Sequence, residues 1–139
     1  MSRALVRVDL ERVAARVTQV LPRFAEVAGA YLFGSGIGLC RPDSDLDLAL
    51  ILRRPAAHPL QLEGRVEAQL GSVDGHPFSV LALGHPGRLA WEVIGNGRLM
   101  YEQDRDAVTD FLEQTALLHD RERQFLATFW NTRREDLQI

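Results

Sequence analysis

The stretch YLFGSGIGLCRPDSDLDLALIL, from Tyr31 to Leu52, decides how this chain folds. Two apolar segments, 30–33 and 45–52, have the length of strands, and a glycine-rich turn over 34–42, with room for a half-turn of helix, separates them. Asp45 and Asp47 open the second segment. Alternate side chains on a strand share a face, so both carboxylates point one way while Leu46, Leu48 and Leu50 point the other. An ionised carboxylate is costly to bury uncompensated, and two neighbours repel. Both remaining ionised implies a cation between them. Magnesium suits the pair, because it takes one or two carboxylates and completes its shell with water and substrate phosphates. Upstream, Gly34-Ser35 closes the first strand and aims backbone N–H groups and a hydroxyl at a common point, as phosphate cradles do. Together they describe a site for a magnesium nucleotide.

Composition narrows the alternatives. A length of 139 residues suits one domain spanning 1–139 with a single core. The formal net charge of −3 argues against a non-specific nucleic-acid binder. All sixteen basic residues are arginines, so a Walker-type phosphate loop and Schiff-base chemistry, which need lysine, are excluded. The single Cys40 gives no disulfide framework or cysteine metal cluster. His58, His76, His85 and His119 show no metal-ligand spacing and read as loop or surface residues. No apolar run approaches the roughly 20 residues of a membrane span. The N-terminal MSRALVRVDLERV lacks a signal-peptide core. A cytoplasmic protein without a membrane partner is expected.

The remaining segments alternate between strand and helix signals. Residues 8–21 carry apolar positions at helical spacing, with Asp9 as N-cap and Pro22 at the end. Residues 60–70 form a short amphipathic helix closed by Gly71. SVDGHP (72–77) is a turn before a strand over 78–83. A helix over 86–94 ends at Gly95; Asn96-Gly97 turns into a strand over 98–101. From Asp104 to about Arg134 the pattern is helical, with a break expected near His119-Asp120. Within this segment Phe125, Phe129 and Trp130 lie at helical spacing among charges, as a docking surface would. Trp91 and Trp130 suit core or interface anchors better than base-stacking platforms. The fold class is α/β (α+β): a small mixed sheet flanked by helices.

The residues now resemble a known family. Gly34-Ser35, nine intervening residues and then Asp45-Leu46-Asp47-Leu48 is similar to the signature of the polymerase-β-type nucleotidyltransferase superfamily. In size and layout the chain is most similar to the minimal nucleotidyltransferases, the antitoxin half of HEPN/MNT two-gene modules. HPGRLAWEVIGNGRLMYEQD resembles their C-terminal helix, glycine turn and short strand. The resemblance implies a nucleotidyltransferase fold, with Gly34 and Ser35 binding the nucleotide's phosphates and Asp45 and Asp47 binding magnesium. In the family it resembles, a third carboxylate on a neighbouring strand helps deprotonate an acceptor hydroxyl, and AMP passes from ATP with release of pyrophosphate. Two positions depart from the pattern. The arginine usual after Gly-Ser is absent, leaving Arg41 as the nearest substitute. Aligning on 83–86 puts Ser79 at the third catalytic position, with Asp74 the only acidic residue nearby. A serine hydroxyl is no general base at neutral pH, and losing such a base costs about 10²- to 10⁴-fold.

The implied function is magnesium-dependent AMP transfer from ATP to a hydroxyl of a protein partner, a HEPN-type toxin, which the modification silences. Self-association is compatible with this. The alternative is a catalytically degenerate module of the same fold that neutralises its partner by contact. Ser79 favours the second reading and the intact Asp45/Asp47 pair the first. Other readings fare worse. A HAD-type phosphatase has its apolar strand before the Asp pair, and GSGIGL fails the dinucleotide fingerprint at Leu39.

Overall fold

A computed structural model describes residues 4–136; in its final helix the side chains of 129, 130 and 132–136 lie outside the described residues. The element order is β1 (Val6–Arg7), α1 (Leu10–Val20), a 3-10 turn (Leu21–Arg23), β2 (Val27–Phe33), a second 3-10 turn (Gly34–Ile37), β3 (Leu39–Cys40), β4 (Leu46–Leu52), α2 (Pro59–Leu70), β5 (Ser72–Val73), β6 (His76–Leu83), α3 (Arg88–Asn96), β7 (Arg98–Glu102) and α4 (Arg105–Asp136). Five strands form one mixed sheet in the order β5-β6-β4-β2-β7, and β1 pairs separately with β3. β4 is antiparallel to β2 and parallel to β6. The parallel pair needs a crossover, which α2 supplies.

Alternation along β4 creates the two faces of the sheet. Leu46, Leu48 and Leu50 join Phe78 and Val80 in a core sealed by Val13 and Val17 of α1 and Leu62, Val66 and Leu70 of α2. Ala49 and Ile51 face the other way, against Ala90 and Val93 of α3 and Val108 of α4. Local chemistry sets the helix boundaries. Asp9 caps α1 by accepting from the N–H groups of Glu11 and Arg12 at 3.1 and 3.3 Å. Gly71, at φ +65°, ends α2.

Several expectations need correction. β2 begins at Val27, three residues before the expected start, because Gly29 belongs to the strand. A Cβ there would lie 2.7 Å from Val108 Cγ2 and 3.0 Å from the Tyr101 carbonyl oxygen, so this glycine permits close packing where a strand boundary was expected. β6 likewise starts at His76, because Asp74 and Gly75, both at positive φ, turn the chain from β5 within two residues. α3 runs past Gly95 to Asn96. α4 is unbroken at His119-Asp120 over 32 residues, about 48 Å. His119 stacks on Trp91, ring centroids 3.7 Å apart, which ties that part of α4 to α3. Phe125 is 68% exposed, while the expected docking aromatics Phe129 and Trp130 lie outside the described residues. His76, expected at the surface, is buried.

Candidate nucleotide and metal site

The five residues singled out from the sequence lie at one end of the central strands. β2 ends at Phe33 opposite Asp47, and Asp47 stands beside Ser79 in the parallel ladder. Phe78 and Val80 turn into the α1/α2 core, so Ser79 shares the face of Asp47. α3 and α4 pack on this face through Ala28, Ile51 and Leu83, away from Asp47. Asp45 and Ser35 are exposed, and Asp47 and Ser79 are partly buried.

Glycine is what brings the turn against the carboxylate. Gly34 adopts φ +75°, which L side chains disfavour, and a Cβ there would lie 2.5 Å from Asp47 Oδ2. The chain then enters the 3-10 turn, with the Gly38 N–H donating to the Ser35 carbonyl at 3.2 Å. Gly36 is buried, and a Cβ on it would approach Leu46 Cδ2 at 3.2 Å. The backbone of 34–36 thus lies along the start of β4.

Burial raises the Asp47 carboxyl above its ordinary value, and the charge of Asp45 raises it further. A bound cation would relieve both effects. The donors are two hard carboxylate oxygens on one side, which fits magnesium with its remaining positions left to water and phosphate oxygens. Among the described residues no cluster of three or more His, Cys, Asp or Glu converges to hold a metal alone.

Neighbouring polar groups are engaged elsewhere. Asp74 sits on the β5–β6 turn with its carboxylate 2.9 Å from Arg12 Nη1 of α1, on the side of the sheet away from Ser79. Arg41 pairs with Asp43 at 3.4 Å in an exposed contact. A cleft of about 610 Å³, lined by Glu26, Arg53, Arg54, His58 and Arg65, lies at the opposite end of β4 and contains none of the five residues.

Sequence reasoning missed three supports. His76 Nδ1 lies 2.8 Å from the Ser44 carbonyl oxygen, just before Asp45. Glu67 Oε1 accepts from the Val80 N–H at 2.7 Å, and Glu63 Oε2 from the Ala82 N–H at 2.9 Å. These carboxylates satisfy the outer edge of β6 beyond its short pairing with β5. The Glu63/Glu67 spacing, four residues apart on α2, was the available signal.

Comparison with known proteins agrees with this architecture. The family model described as "Polymerase beta, Nucleotidyltransferase" matches residues 15–106. No curated protein matches the chain. Solved structures similar to this chain include the following three. One is the toxin–antitoxin MntA-HepT, at 15% identity over 93% of this chain and 99% of that chain, TM-score 0.59. Another is tri-AMPylated Shewanella oneidensis HEPN toxin in complex with MNT antitoxin, at 16% identity over 94% and 100%, TM-score 0.61. The third is a toxin–antitoxin with AMP-PNP, at 16% identity over 91% and 98%, TM-score 0.59. At these identities the likeness speaks to the fold.

Proposed function

Because the chain belongs to the polymerase-β nucleotidyltransferase family, we propose that it transfers AMP from ATP to a hydroxyl of a HEPN-type protein partner and so acts as an antitoxin. The observation that carries this reading is the close approach of the Gly34 backbone to Asp47, where a Cβ would meet Oδ2; it sets the turn proposed to cradle phosphate against a carboxylate proposed to bind metal. Its likeness to MNT antitoxin complexes, one with AMPylated toxin, supports the choice of partner and of transferred group.

In this reading the N–H groups of the Gly34–Ile37 turn and the Ser35 hydroxyl hold the triphosphate. Asp45 and Asp47 hold magnesium, which neutralises charge on the phosphates when bound. The acceptor oxygen attacks the α-phosphorus, forming one P–O bond while the α–β phosphoanhydride bond breaks and pyrophosphate leaves. The acceptor's proton must leave as well. Ser79 is no base at neutral pH, and Asp74 is held by Arg12, so proton removal falls to solvent and the reaction is slow.

The missing base, with Ser79 at the third position and Asp74 paired with Arg12, favours one second reading: a catalytically degenerate module that silences its partner by contact. Intact mass of the partner after incubation with ATP and magnesium separates the two. Transfer predicts a gain of whole adenylates with the wild type and none with Asp47→Asn. Neutralisation of the partner at unchanged mass would select the contact mechanism.

A further inference from the structure

The two proposed metal ligands are held in different ways. Asp47 lies inside the sheet, with β2 on one side and β6 on the other. Asp45 precedes β4, is exposed, and its carboxylate has no hydrogen bond or ion pair among the described residues. Something else must fix its backbone if both carboxylates are to meet one ion.

We propose that His76 is a positioning residue that holds Asp45 in place through the Ser44 carbonyl. This rests on the reading of Asp45 and Asp47 as metal ligands. The Ser44 N–H donates to the Arg41 carbonyl at 3.0 Å, closing the turn, and the Ser44 carbonyl accepts from His76 Nδ1 at 2.8 Å. Both backbone polar groups of Ser44 are therefore anchored. Its carbonyl belongs to the same planar peptide unit as the Asp45 nitrogen, so orienting one orients the other. The clamp spans the gap ahead of the β4–β6 ladder, whose first pair is Leu46 and Phe78.

His76 is itself fixed. It is 4% exposed and pairs with Val73 across the Asp74-Gly75 turn, which Arg12 ties to α1. The nitrogen facing a carbonyl must carry a proton, so Nδ1 is the donor. An asparagine amide nitrogen stands at the same bond distance from Cβ as Nδ1, whereas that of glutamine stands one bond further.

The test measures binding of the Mn-ATP complex to the protein, by water-proton relaxation enhancement, for the wild type, His76→Asn, His76→Gln and His76→Leu. Losing a group that orients a metal ligand typically costs about 10- to 100-fold in affinity. His76→Leu and His76→Gln should show that loss, and His76→Asn should bind close to wild type. If the leucine variant does not fold, the Asn–Gln contrast still decides. Equal binding by wild type and all folded variants overturns the clamp alone, as does equal weakening of Asn and Gln. A wild type that binds no Mn-ATP overturns the metal-site reading and the clamp with it.

Discussion

Ser79 stands beside Asp47 on the adjacent parallel strand, and in the proposed site this is the position of the third carboxylate. Its neighbours Phe78 and Val80 are buried in the opposite core, so an aspartate here needs no backbone rearrangement to face Asp47. Ser79→Asp should raise AMP transfer to the partner by about 10²-fold or more, through an added base. The third negative charge should also lower the melting temperature without magnesium and restore it with magnesium. No change in either quantity would show that Ser79 does not face the site.

Asp47 sets a pH dependence whose sign follows from its raised carboxyl. The folded state holds that proton more tightly than the unfolded chain, so ionisation of Asp47 opposes folding. Its destabilising effect is absent below the unfolded value, about pH 4, and complete once pH rises past the folded value. Without metal, Asp47→Asn should therefore melt higher than wild type at pH 7, with the advantage fading as pH falls towards 4. Saturating Mg-ATP should reverse the order by stabilising the wild type alone. At a hundredfold excess over Kd, that stabilisation is about 2.7 kcal/mol.

Gly34→Ala combines a disfavoured φ with displacement of Asp47 Oδ2. Backbone strain alone costs about 1–2 kcal/mol, and the displaced carboxylate should abolish the melting shift with Mg-ATP. Gly64→Ala is the control: it lies inside α2 with open space around it and should stabilise by up to about 1 kcal/mol. A full Mg-ATP shift in Gly34→Ala would separate the turn from the carboxylate.

How much of this was legible in the sequence depended on whether a residue's role was local. The Asp9 cap, the strand carrying Leu46, Leu48 and Leu50, and the Gly-Ser turn all follow from neighbours within a few positions. Ser79, found by aligning on 83–86, stands beside Asp47 in the ladder, while its role stays with the proposal. Gly29, by contrast, looks like a strand boundary because the Val108 side chain it accommodates lies 79 positions away (108 − 29). His76 looks like a surface histidine until Ser44 arrives in the turn that leads into the neighbouring strand. The expected break at His119-Asp120 ignored the stacking of His119 on Trp91.

The edge of β6 gives a stability prediction independent of nucleotide. Glu67→Ala removes the acceptor of the Val80 N–H, and an unsatisfied part-buried donor costs about 1–3 kcal/mol. Glu67→Gln keeps an acceptor oxygen and should cost less. Urea midpoints for the two variants measure the difference; equal midpoints would show that solvent satisfies this edge.

The most direct test of AMP transfer follows the two ends of ATP separately. The protein and its HEPN-type partner are incubated with magnesium and ATP labelled at either the α- or the γ-phosphate. AMP transfer predicts that the α-label becomes covalently attached to the partner, the γ-label leaves as pyrophosphate, and Asp47→Asn abolishes both events. Attachment of the γ-label would mean phosphoryl transfer and would contradict AMP transfer. No attachment of either label, with Mg-ATP bound and the partner neutralised, would contradict it equally and leave contact as the mechanism.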